Sequence, residues 1–110
     1  MRRGEVWIVD LDPVEGSEVG KRRPAVVVQN DLANRTSRTV TVVPLSSRTD
    51  RVYPFQALIP AGEGGLDRPS KALCEQIRTI SRGRLVSRLG ALDDRRLEEI
   101  RMALDRHLWW

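Results

Sequence analysis

Four carboxylates, Asp10, Asp12, Glu15 and Glu18, precede two adjacent guanidinium groups, Arg22 and Arg23, within a 14-residue stretch of this 110-residue chain. The carboxylates have divalent-ion chemistry in principle, but the positive charge that follows at once opposes a cation there. Histidine occurs once, at His107, and cysteine once, at Cys74, so one chain offers neither a two-histidine acid–base pair nor a Cys/His metal site. No G-x-x-x-x-G-K-[ST], H-E-x-x-H or G-x-S-x-G run is present, which leaves nucleotide hydrolysis, zinc proteolysis and an α/β-hydrolase elbow without support. What survives is a site without metal or cofactor, built from guanidinium, hydroxyl, carboxylate and backbone amide groups. Such a site hydrolyses only a substrate that brings its own nucleophile. RNA does, because its 2′-hydroxyl adjoins the phosphodiester, and DNA does not. Fixed donors then have to align that hydroxyl, stabilise charge on the phosphate oxygens and help the 5′-oxygen leave.

The elements that must position these groups belong to one domain, 1–110, because a single core is what a chain of this length supports. Hydrophobic residues make up 40% and charged residues 31%, an ordinary globular balance. Net charge is +4, and 17 of the 19 basic residues are arginine, the side chain suited to bidentate phosphate recognition. With 15 acidic residues also present, an anion site has to be a local cluster. The longest apolar run, Ala25 to Val28, is far too short for a membrane helix, and Arg2 and Arg3 lead into a charged segment without a signal-peptide core. A cytoplasmic protein without membrane contact is therefore expected. Cys74, in an apolar alternation with Ala72 and Leu73, reads as a buried thiol.

Strand formers fill Glu5 to Leu11 up to the Asp12-Pro13 turn signal, and Val14 to Arg23 reads as a long functional loop. Pro24 to Gln29 is a β-branched run, Asn30 to Arg38 is polar and turn-prone, and Thr39 to Val43 alternates like a strand with one wet face, ending at Pro44. A polar loop follows at Ser46 to Arg51. Phe55 to Ile59 predicts a strand, Lys71 to Ile80 two more pieces, and Leu85 to Leu92 a last strand broken at Gly90. From Asp93, an N-cap, the period changes: Leu97, Ile100, Ala103, Leu104 and Leu108 recur at helical steps. Short strands followed by one helix predict a mainly β (α+β) fold, a small twisted antiparallel barrel with a C-terminal helix packed on it.

R-R-G-E-V-W-I-V-D-L-D-P at Arg2 to Pro13, G-S-E-V-G-K-R-R-P-A-V-V-V-Q-N-D at Gly16 to Asp31, V-V-P-L-S-S at Val42 to Ser47, E-Q-I-R-T-I at Glu75 to Ile80 and the terminal L-D-D-x-x-L-E-E-I closely resemble the MazF/PemK toxins, in order and nearly end to end. The resemblance implies an SH3-like barrel of the CcdB/MazF type. It also implies a toxin of a type II toxin–antitoxin system: a sequence-selective, metal-independent endoribonuclease that cleaves single-stranded RNA such as mRNA and leaves a 2′,3′-cyclic phosphate and a 5′-hydroxyl. It makes Arg23 the principal catalytic residue at the scissile phosphate. Ser46, standing where the family usually has threonine, becomes a hydroxyl that bonds the phosphate or positions the 2′-hydroxyl, and Glu18 a general base or an orienter of Arg23. Ser17, Lys21, Arg22, Asn30, Ser47, Gln76 and Arg78 become RNA contacts, Gln76 from a strand. Arg82, Arg84 and Arg88 extend the phosphate track. The implied partners are a MazE-like antitoxin with a flexible acidic tail and a second copy of the chain. The terminal Trp109 and Trp110 are expected against the sheet or that second copy. The alternative is a CcdB-type toxin that binds gyrase without catalysis, also through a C-terminal tryptophan. The Arg23-Pro24, Ser46 and Gln76 matches follow the nuclease branch.

Overall fold

A computed structural model describes all 110 residues, Met1–Trp110. Seven strands, β1 (Glu5–Asp10), β2 (Arg22–Val27), β3 (Thr39–Ser46), β4 (Gln56–Ile59), β5 (Ser70–Leu73), β6 (Arg78–Ser81) and β7 (Leu85–Ala91), accompany two helices, α1 (Asp31–Thr36) and α2 (Asp94–Trp109). Every strand pairing is antiparallel, in the order β4-β5-β3-β2-β1-β7, with β6 also on β3. The mainly β architecture with a C-terminal helix is the one the sequence predicts.

The long strand β3 organises the sheet. It takes β2 along one edge and, on the other, β6 at Thr39–Val42 and β5 at Leu45–Ser46. Splitting its partners this way curls the sheet, so that its central strands are buried on both faces. Val26 and Val43 join Val6, Leu45, Ile59 and Ile100 in one cluster. Ala25, Val27 and Val42 join Val9, Leu11, Val40 and Ile80 in the other. Burial on both faces explains why β2 reads as an unbroken apolar run rather than an alternation. The wet face expected of β3 exists only in its first half, where Thr41 and Thr79 share a hydroxyl contact of 2.7 Å.

Five expectations are corrected. The polar segment after Asn30 contains α1, and β3 does not end at Pro44 but continues to Ser46. Gln76 lies in a 3-10 turn, Cys74–Gln76, and not on a strand. Gly90 does not break β7: Val6 pairs with Gly90 and Trp7 with Arg88, so the chain bulges at Leu89 and continues. The apolar stripe of α2 buries Ile100 and Ala103, but Leu108 is 59% exposed, and Trp109 and Trp110 project at 84% and 85% exposure instead of packing on the sheet. The Asp93 cap is as expected, accepting from the Arg96 N–H at 2.9 Å.

The segment between β4 and β5 lies flat on β7 because neither chain carries a side chain at the crossing. A Cβ on Gly65 would meet the Leu89 carbonyl oxygen at 2.1 Å, at a φ of +76°, and one on Gly90 would meet Gly64 at 2.7 Å. Gly65→Ala is expected to destabilise the fold by roughly 2–4 kcal/mol through overpacking and left-handed strain, read as a lower urea midpoint. The same segment is clamped to α2 by a bidentate pair, Arg96 Nε to Glu63 Oε1 at 2.8 Å and Nη2 to Oε2 at 2.9 Å. Hydrogen bonds from Arg96 hold the Glu63 carboxyl below its usual value of 4.5. A carboxyl acidified by folding stabilises at neutral pH and loses that contribution as pH falls from about 4.5 through its lowered value. Glu63→Gln is therefore expected to flatten the acid limb of a thermal-midpoint-against-pH curve and leave its alkaline limb unchanged.

Candidate active site

Arg23 is the second residue of β2, opposite Val9, and is half-buried. Its guanidinium is anchored by carbonyls: Nε donates to Gly20 O at 3.0 Å and Nη1 to Leu45 O at 3.5 Å. It takes part in no ion pair, so its charge is fixed in direction yet not neutralised. Ser46 ends β3 one residue beyond that Leu45 carbonyl. Its Oγ accepts the Arg48 N–H at 3.2 Å, which leaves the hydroxyl hydrogen free for an outside acceptor.

Both side chains line an open cleft of about 740 Å³, together with Val19, Ser47 and Arg48 and with Leu66, Asp67, Arg68 and Ser70. Three guanidinium groups, Arg23, Arg48 and Arg68, thus meet one carboxylate, Asp67, which lies 3.8 Å from Arg68. The cleft is a local anion site of the kind the charge balance requires. Ser70 is brought beside Ser46 by the β3–β5 register, in which Ser46 pairs with Lys71. Lys71 Nζ in turn holds Arg51 O at 2.6 Å, steadying the loop after Ser47. Arg48, Arg68 and Ser70 are not singled out by the sequence. They stand 25 to 47 residues from Arg23, and the β3–β5 register is what brings Arg68 and Ser70 to it.

The remaining predicted residues sit elsewhere. Glu18 does not touch Arg23: its Oε1 accepts the Glu15 N–H at 2.7 Å and shapes the 14–21 loop. Ser17, Lys21 and Arg22 are exposed along that loop and the start of β2. Asn30 is not on the cleft but is the N-cap of α1, accepting from Ala33 N at 2.8 Å. Gln76 reaches the cleft only indirectly, its Oε1 accepting the Val19 N–H at 3.4 Å. Arg78 Nη1 donates to Leu11 O at 3.2 Å, and Arg84 Nη1 to the Asp10 and Asp12 carbonyls. Both brace the end of β1 rather than extend the cleft. Arg82 is tied to Ser37 O, and Arg88 pairs with Glu5. Asp10 accepts from Asp12 N at 3.2 Å and Asp12 from Lys21 N at 2.8 Å. No three His, Cys, Asp or Glu side chains converge anywhere in the molecule. Burial pushes the Cys74 thiol up to about 12, with Glu75 adding to the effect, so it is no nucleophile at neutral pH.

Residues 2–108 match the family described as PemK-like, MazF-like toxin of type II toxin-antitoxin system. The chain belongs to this family. This MazF-like toxin is 48% identical to Endoribonuclease MazF9 of Mycobacterium tuberculosis, over 98% of this chain and 96% of that protein. Its fold superposes on MazF from Deinococcus radiodurans with a TM-score of 0.86 at 27% identity, covering 100% of this chain and 97% of that one. A MazE–MazF crystal structure from the same organism matches at a TM-score of 0.78 and 28% identity, covering 98% and 95%. The gyrase-binding alternative is not the family that the MazF-like toxin matches.

Proposed function

We propose that this MazF-like toxin is an endoribonuclease that cuts single-stranded RNA in the Arg23–Ser46 cleft, with the substrate's own 2′-hydroxyl as nucleophile. The observation that carries this reading is one guanidinium held by carbonyls, and therefore electrostatically free, facing the same cavity as a hydroxyl whose hydrogen has no protein partner. The 2′-oxygen bonds to phosphorus and loses its proton while the P–O5′ bond breaks and the 5′-oxygen gains one, giving a 2′,3′-cyclic phosphate and a 5′-hydroxyl. Arg23 stabilises charge on the phosphate oxygens, and Ser46 donates to one of them. A guanidinium, whose charge is delocalised over three nitrogens, is poorly suited to proton transfer.

The loops Val14 to Lys21, Ser47 to Tyr53 and Ala61 to Arg68 surround the cleft and supply base selectivity. Ser17, Lys21, Arg22, Ser47, Arg48 and Arg68 track the flanking phosphates. Asn30, Gln76 and Arg78 support this surface through the backbone bonds described above rather than by touching RNA, and Glu18 does so by folding its loop. The toxin works as one domain in the cytoplasm, and cleavage of mRNA arrests translation and growth. Its inhibitor is a MazE-like antitoxin whose flexible acidic tail competes for the basic cleft, since carboxylates imitate phosphates there. Val86 and Leu89 at the bulges of β7, with Met102, Leu108, Trp109 and Trp110 on α2, leave apolar surface exposed, which supports a homodimer.

The test is incubation of the purified protein with a labelled RNA in EDTA, beside the same oligonucleotide made of deoxyribose. RNA alone is expected to be cut. Intact RNA at high enzyme and long incubation would overturn the reading, and retention of gyrase on the immobilised protein would then favour the CcdB-type alternative.

A further inference from the structure

Arg23 owes its direction to a carbonyl, and that carbonyl belongs to a peptide unit that is itself pinned from behind. The Gly20 C=O that accepts Arg23 Nε at 3.0 Å and the Lys21 N–H that donates to Asp12 Oδ1 at 2.8 Å are two ends of the same amide plane. In a planar trans peptide these groups point in opposite directions, so the plane lies between the Asp12 carboxylate and the guanidinium. We infer that Asp12 is a positioning residue for Arg23, acting through the single Gly20–Lys21 peptide.

Three features of the chain make the arrangement specific. Asp12 lies so close to Gly20 that a Cβ there would sit 2.4 Å from its Oδ1, so a side chain at this position would displace the carboxylate. Lys21 adopts a φ of +63°, rare for a residue with a side chain. Its N–H bond to Asp12 and its C=O, which accepts Leu11 N at 3.0 Å, hold it there. The turn bearing Asp12 is fastened in turn, because Arg78 donates to Leu11 O and Arg84 to the carbonyls of Asp10 and Asp12. A negative charge on the N–H end polarises the amide and strengthens its oxygen as an acceptor. The device orients the guanidinium by a carboxylate without neutralising it. A carboxylate bonded directly to Arg23 would compete with the phosphate.

The kinetic half of this inference rests on the nuclease reading, and the structural half does not. Asp12→Ala is expected to lower kcat by about 10- to 100-fold through misdirection of one group, with KM changed by less than about threefold. Asp12→Asn, which keeps the acceptor oxygen, is expected to restore most of the loss. The Arg23 Nε–H resonance, assigned in 15N NMR spectra by its absence from Arg23→Lys, is expected to be protected from solvent exchange in the parent and in Asp12→Asn. It is expected to lose that protection in Asp12→Ala and in Gly20→Ala. Unchanged protection in folded Asp12→Ala would overturn the inference whatever the RNA assay gives, as would a kcat per folded molecule equal to the parent's. Should Asp12→Ala not fold, an unprotected resonance in Gly20→Ala supports the inference and a protected one overturns it. A parent protein that shows the protected resonance but cuts no RNA would count against the nuclease reading alone.

Discussion

Arg23→Ala is expected to cut RNA about 100- to 1,000-fold more slowly than the parent, the range found when one fixed donor to a developing oxyanion is removed. The loss should fall on kcat. Arg48 and Arg68 remain to hold the strand, whereas Arg23 alone is oriented by the Gly20 and Leu45 carbonyls. Folding should change little, because removing the half-buried side chain opens those carbonyls to water instead of burying them unpaired. Single-turnover cleavage and urea denaturation of the same sample separate the two effects. Arg23→Lys should recover only part of the rate: an ammonium keeps the charge, but it cannot span two carbonyls and still present a planar pair of donors to phosphate. Cleavage by folded Arg23→Ala at the parent rate would remove Arg23 from the chemistry.

What is legible in the sequence is what local chemistry determines. The β1 strand, the Asp93 cap and the α2 stripe from Leu97 to Leu104 each follow from neighbours within a few residues, and they stand where the sequence puts them. Pro44 looks like a strand end because proline donates nothing to a ladder. It lies in the interval between the β6 and β5 partners of β3, where that edge of the ladder is interrupted. Helix α1 is hidden because its six residues show no apolar stripe. It is held by its cap and by buried Asn34, which donates to Gln29 O and Asp31 Oδ1, both at 3.0 Å. Asn30 could have been read as that cap, since Asp31 follows it in the first turn.

The candidate site divides along the same line. Arg23, Ser46 and Ser47 are visible because they sit in contiguous motifs. Arg68 and Ser70 are not, because only the pairing of β3 with β5 brings them to Ser46, and register is not written in a loop's composition. Glu18 and Gln76 take on a structural task for a related reason. Their residue types suit catalysis and base reading, but backbone N–H groups at Glu15 and Val19 take up the oxygens concerned. The Val19 donor is half-buried and has to be satisfied, the Glu15 donor is exposed, and in a 14–21 loop with little regular structure the side chains nearest in space take both.

The most direct trial of the mechanism is cleavage of an RNA whose 2′-oxygens are all methylated. Methylation leaves every phosphate and base in place, so the strand should still enter the cleft and compete with unmodified RNA. It removes the nucleophilic hydroxyl, and no group lining the cleft is expected to take its place. The account predicts no cleavage of the methylated strand under conditions that cut the unmodified strand completely, with a cyclic phosphate at each new 3′ end of the latter. Severing of the methylated strand would contradict it, because the attacking group would then have to come from somewhere other than the ribose.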